Sequence, residues 1–102
     1  MTSPLLVSAP EGSITVTAGA LTRLVADAAE LVDGARVRRR RRGLEVLQAN
    51  GRATVSLELA ARYGAVLPGL AHEVQERVAA ALAEMCGLEV DCVDVTIEEI
   101  ER

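Results

Sequence analysis

The stretch Leu44-Glu45-Val46-Leu47-Gln48-Ala49-Asn50-Gly51-Arg52-Ala53-Thr54-Val55-Ser56-Leu57-Glu58-Leu59-Ala60-Ala61 decides the fold of this chain. Asn50-Gly51 is the dipeptide that most readily takes positive φ at both central positions of a two-residue turn, so it bends the segment into a β-hairpin. Beyond the turn, Ala53, Val55, Leu57, Leu59 and Ala61 point one way while Thr54, Ser56 and Glu58 point the other. A period of two with one apolar side identifies a half-buried strand, and the length of this run puts it in the middle of a sheet.

Upstream, Ala35 to Arg40 reads as a further short strand leading into Leu44 to Ala49. Before it, Leu21, Leu24, Val25, Ala28, Leu31 and Val32 recur at helical spacing, with Thr17 as the cap and Asp33-Gly34 as the stop. Ser13-Ile14-Thr15-Val16-Thr17 alternates as a first strand. Downstream, Pro68 suits the first turn of a second helix whose stripe is Leu70, Val74, Val78, Ala81, Leu82 and Met85, and Gly87 ends it. Leu88 to Ile97 is the last strand, and its apolar parity changes between Cys92 and Val93, which predicts a β-bulge. Residues 1–12, with Pro4 and Pro10 and no periodicity, read as a flexible N-terminal arm ahead of one domain over 13–102. The expected fold is α+β, a two-layer sandwich of order β-α-β-β-β-α-β with both helices on one face of a mixed sheet.

Composition narrows the function. The chain has 102 residues, eleven of them arginine and none lysine, against fifteen acids, for a net charge of −4. That balance does not suit a protein wrapped on duplex nucleic acid. Tyr63 is the single aromatic residue, so base-stacking platforms and aromatic ligand cradles are excluded. One histidine and two cysteines do not make an ordinary zinc site, and without lysine or a glycine-rich phosphate loop nucleotide hydrolysis is excluded. His72 stands beside Glu73 and Glu76 on a polar helix face, and no serine has a histidine placed to activate it. Catalytic, cofactor-binding and metal-ligating residues are therefore expected to be absent, and so is a small-molecule substrate. Cys86 and Cys92 read as small buried hydrophobes. No signal peptide and no run of roughly 18–20 apolar residues occurs, which makes a cytoplasmic address the expectation.

The candidate interaction surface is the run Arg36, Arg38, Arg39, Arg40, Arg41 and Arg42, expected to project from a hairpin because alternation cannot seat consecutive arginines on one buried face. Without these six charges the remainder carries −10, with Glu98, Glu99 and Glu101 at its acidic end. Three readings stay open: solvated arginines guarding a sheet edge, a polyanion site for nucleic acid or anionic lipid, and a protein contact, including salt-sensitive contact with a second copy. Tyr63 either covers the start of the second helix or anchors a partner.

Gly12-Ser13-Ile14-Thr15-Val16, Val32-Asp33-Gly34, Ala61-Arg62-Tyr63-Gly64, Val74-Gln75-Glu76-Arg77-Val78, Glu84-Met85-Cys86-Gly87-Leu88-Glu89-Val90 and Val93-Asp94-Val95-Thr96-Ile97 together resemble the alkaline shock protein family of bacterial envelope stress-response proteins. The likeness runs from residue 11 to about residue 100. Cys86 stands where the family usually has threonine and Asp94 where it has asparagine, and the segment after Gly34 is shorter. The resemblance implies a non-enzymatic cytoplasmic protein that assembles with itself and reaches the envelope through a membrane-anchored partner. The alternative from another class is a small α/β nucleic-acid-binding module that uses the Arg36 to Arg42 hairpin.

Overall fold

One eleven-residue strand organises the molecule, and the other elements are placed by how they pair with it or cover it. The computed structural model describes residues 5–9, 12–38 and 43–102. In chain order the elements are β1 (Leu5–Ala9), β2 (Gly12–Val16), α1 (Ala18–Glu30), β3 (Ala35–Val37), β4 (Leu44–Ala49), β5 (Arg52–Arg62), α2 (Leu67–Cys86) and β6 (Glu89–Glu101). β5 is the central strand: β4 and β3 pair antiparallel along one side of it and β6 parallel along the other.

The hairpin between β4 and β5 forms as expected, with Asn50 at φ 54° and Gly51 at φ 76°. Its inner residues Ala53, Val55, Leu57, Leu59 and Ala61 are all buried. Both helices lie over this face. α1 contributes Leu21, Val25 and Ala29 and α2 contributes Leu70, Val74, Val78 and Leu82, so the core is wholly aliphatic. At about 1.5–3 kcal/mol per fully buried large aliphatic side chain, this layer supplies most of the driving force for folding. Thr17 caps α1 by accepting a hydrogen bond from the Ala20 N–H at 3.2 Å. Gly87, at φ 67°, ends α2 in the left-handed conformation. Gln75 fastens α2 to the sheet by donating to the Val93 carbonyl at 3.0 Å.

Several expectations are corrected. β3 and β4 do not form a hairpin with each other. They lie end to end along one edge of β5, β4 opposite residues 52–57 and β3 opposite residues 59–61. Between them the Arg38 N–H donates to the Glu58 carbonyl and the Glu58 N–H donates to the Gly43 carbonyl, at 2.9 and 2.8 Å. The physical reason is length: β5 has more edge than six-residue β4 can cover, and β3 satisfies the rest. Arg39, Arg40, Arg41 and Arg42, the centre of the predicted hairpin, lie outside the described residues.

β2 pairs with β1 in its own two-stranded ladder, so five residues of the predicted N-terminal arm form a strand. α1 stops at Glu30, where the Leu31 and Val32 N–H groups turn back onto Ala28 and Ala29, and Gly34 at φ 91° sits in the following turn. Leu31 and Met85, placed on the apolar stripes by spacing, are each 72% exposed, whereas Val32 and Leu88, just after them in the chain, are buried. Cys92 is exposed, contrary to expectation, while Cys86 is half-buried and packs against the core. The predicted bulge in β6 occurs at Asp91, and a second follows at Glu98, each an extra residue against β5.

Candidate interaction surfaces

The face of the sheet away from the helices carries charge. Its residues alternate with the core positions: Arg52, Thr54, Ser56, Glu58 and Ala60 on β5, with Glu45 and Leu47 on β4, Arg36 on β3, and Cys92, Asp94, Thr96, Glu99 and Glu101 on β6. Two bulges in β6 keep this parity, since each re-aims the residues after it by one position.

Arg36 pairs with Glu101 and Arg38 with Glu99, in both cases from one flank of β5 to the other. The row between them is occupied by Ala60, opposite both Arg36 and Glu99 and 1% exposed although it faces away from the helices. A methyl group there leaves room for long side chains to meet above the central strand. At the far end of the face, Arg52 forms a two-pronged pair with Asp91 and reaches Glu89 at 3.4 Å. The hydrogen bond from Arg52 holds the Asp91 carboxyl below the usual carboxylate range, and Asp91 in turn raises the Arg52 guanidinium. Cys92 donates to Asp94 at 3.3 Å, and that bond pushes its thiol upward, away from the thiolate form.

The predicted site residues therefore divide into groups. Arg36 and Arg38 meet Glu101 and Glu99 within the same molecule, so these two arginines are not held apart from the acidic end as the reading of a charge dipole required. Glu98 sits at the second bulge of β6 and is engaged in its own interaction. Tyr63 lies elsewhere, just past β5 and on the same pocket wall as the first residues of α2, 65% exposed with the Arg102 guanidinium 5.2 Å from its ring centre. His72 pairs with Glu76 at 3.0 Å on the exposed side of α2. Among the described residues no group of three or more His, Cys, Asp or Glu is placed to hold a metal ion, and no helix is long and apolar enough to cross a membrane.

A concave region that sequence reasoning missed lies at this end of the domain. A pocket of about 520 Å³ is lined by Val32, Gly34, Tyr63, Ala65, Val66 and Leu70 together with Asp33, Arg62 and Glu73. It continues, through Gly34 and Arg62, into a second pocket of about 370 Å³ that has Arg36, Arg102 and Glu101 on its walls. The groove depends on two tight turns: Gly34 at φ 91° and Gly64 at φ 93° bend the chain, and the Arg62 N–H donates to the Gly34 carbonyl at 2.8 Å. Arg62 also pairs with Asp33 at 2.7 Å. The sequence signal was Arg62-Tyr63-Gly64, already singled out, but its partners lie about thirty residues before it and about forty after it.

The comparisons with known proteins agree with this architecture. Among solved structures, a variant of the MamM CTD in its zinc form superposes with a TM-score of 0.56 at 21% identity, covering 82% of this chain and 86% of that one. Another in its cadmium form gives a TM-score of 0.55 at 23% identity, covering 79% and 94%. At these identities the likeness establishes the fold, the two-layer α+β sandwich. No curated protein sequence matches the chain. A model of the alkaline shock protein 23 family, described by a cell envelope-related function, matches residues 14–102, which is the whole two-helix sandwich, and the chain belongs to that family.

Proposed function

We propose that the chain is a binding and scaffolding module without chemistry of its own, which associates with itself and is held at the cytoplasmic side of the cell envelope by a membrane-anchored partner. The observation that carries this reading is the sheet face. Both helices cover one side, and the other presents exposed Leu47, Ser56, Asp94, Thr96 and Glu99 among cross-strand ion pairs, a surface equipped for protein contact. Membership in a family of envelope-related function supports the place of action. The nucleic-acid alternative loses support from the engagement of Arg36 and Arg38 by carboxylates, because those charges must be released before they can meet phosphate.

Sedimentation velocity of the purified, nucleic-acid-free protein tests the proposal over a hundredfold range of concentration at low and high salt. The expected result is association that grows with concentration and weakens as salt screens exposed charge. In the same experiment His72→Ala is expected to change neither association nor stability. A protein that stays monomeric and binds RNA tightly contradicts the scaffold reading and restores the alternative.

A further inference from the structure

α2 is twenty residues long, so its two ends stand about 30 Å apart, and the surfaces at those ends are complementary. At the N-terminal end lies the groove. Its apolar half is floored by Val32 and Leu70 and rimmed by Tyr63 and Val66, the last 75% exposed. Its other half has Arg36, Arg62 and Arg102 on the walls, Arg36 paired with Glu101 and Arg62 with Asp33, which leaves Arg102 over the Tyr63 ring. Asp33 and Glu73 border the apolar half, and the Arg62–Asp33 pair is exposed on both sides, 63% and 87%, so a better-placed carboxylate can replace Asp33 there.

At the C-terminal end of α2, Met85 is 72% exposed, an unbranched apolar side chain standing clear of the core. Exposed Glu84 precedes it, and exposed Glu89, which Arg52 reaches at 3.4 Å, opens the strand just beyond Gly87. The last turn of the helix carries no basic residue, so its negative dipole end adds to the carboxylates. A large exposed apolar residue beside acids at one end, and an apolar hollow beside arginines at the other, are matched in polarity and in charge.

We propose that the groove formed by residues 32–36, 62–73 and 101–102 receives the Met85 end of α2 from a second copy of the chain, Met85 entering the apolar half and Glu84 meeting Arg62 and Arg102. The inference rests on the self-association proposed above and says which surfaces perform it. A contact between unlike surfaces is heterologous: every molecule that docks its Met85 end leaves its own groove open to the next, so association proceeds to chains or rings and does not stop at a dimer. Tyr63 and Arg62 are the residue types that most often dominate such contacts, because each joins a large contact area to a directional polar group.

The test is sedimentation velocity of the full chain with four variants. Met85→Asp is expected to weaken association at least tenfold. Glu84→Arg and Arg62→Glu should each weaken it, and the two charge reversals combined should restore most of what either removes. Both sites are exposed, and a thermal melt of each variant checks that the fold is retained. Association unchanged in Met85→Asp, or no recovery in the combined variant, overturns this interface while leaving self-association standing through another surface. A wild-type chain that is monomeric at every concentration overturns the interface and the scaffold reading together.

Discussion

The two faces of β5 follow the same backbone and use opposite chemistry. On the inner face Ala53, Val55, Leu57, Leu59 and Ala61 are buried in the aliphatic core on the side covered by the two helices. On the outer face the same strand spaces Arg52, Thr54, Ser56, Glu58 and Ala60 beneath ion pairs that span from β3 or the residue after it to β6. Apolar burial is non-directional and cumulative, whereas exposed ion pairs are directional and individually weak. Stability is therefore set by the inner face, which leaves the outer face and the groove beside it free for the contacts proposed above.

That division can be broken most severely from the inside. Leu57→Ala removes a side chain that is 1% exposed, at the centre of the sheet and under both helices. It is expected to lower the unfolding free energy by about 2–5 kcal/mol, read from urea denaturation. A loss under 1 kcal/mol would mean that the core can collapse around the gap and that the inner face is less decisive than stated.

The turn that joins the two faces to β4 comes next. Gly51→Val places a β-branched residue at φ 76°, and the expected loss is about 1–3 kcal/mol in the same measurement. An unchanged midpoint would show that the hairpin register is held by the strands alone.

The outer face should respond far less. Replacing Arg36 and Arg38 by serine removes the two ion pairs that cross β5 among the described residues, and each is expected to cost only about 0–1 kcal/mol because the pairs are partly exposed. A double-mutant cycle of Arg38→Ser with Glu99→Gln isolates one pair. A coupling well above 1 kcal/mol would make the outer face a structural element in its own right.

The smallest effect concerns pH. Asp91 has its folded pKa lowered by Arg52, so its contribution is present above the ordinary carboxylate value of about 4 and is lost as pH falls through the lower folded value. Asp91→Asn should consequently be slightly less stable than the parent chain at pH 7 and indistinguishable from it near pH 2. A gap that widens with acid would reverse the assignment.

What could be read in the sequence was local. Asn50-Gly51 dictates its own turn, Thr17 and Gly87 mark their helix ends, and the alternation from Ala53 to Ala61 declares a buried face without reference to any neighbour. The placement of β3 was not legible, because whether it pairs with β4 or with β5 depends on how much of a strand more than twenty residues away is already covered. Periodicity also misplaced one residue in each helical stripe: Leu31 and Met85 keep the spacing, yet Val32 and Leu88, just beyond them, are the residues that are buried. The arginine run and the acidic end were visible as composition. That Arg36 meets Glu101, 65 positions later, follows only once the small residue at position 60 opens a path across the strand. The groove was the least legible feature, since its walls come from four short segments that only the turns at Gly34 and Gly64 bring together.

Because the N–H and the carbonyl of Glu58 hold Gly43 and Arg38 respectively, the edge strand is closed on both sides of its interruption by a single residue. Register on either side of the interruption is consequently tied to one position of β5, through the two hydrogen bonds that Glu58 makes. Gly43 is what allows both bonds: a Cβ there would run into the Arg38 carbonyl, so any other residue at position 43 would force the two strand ends apart.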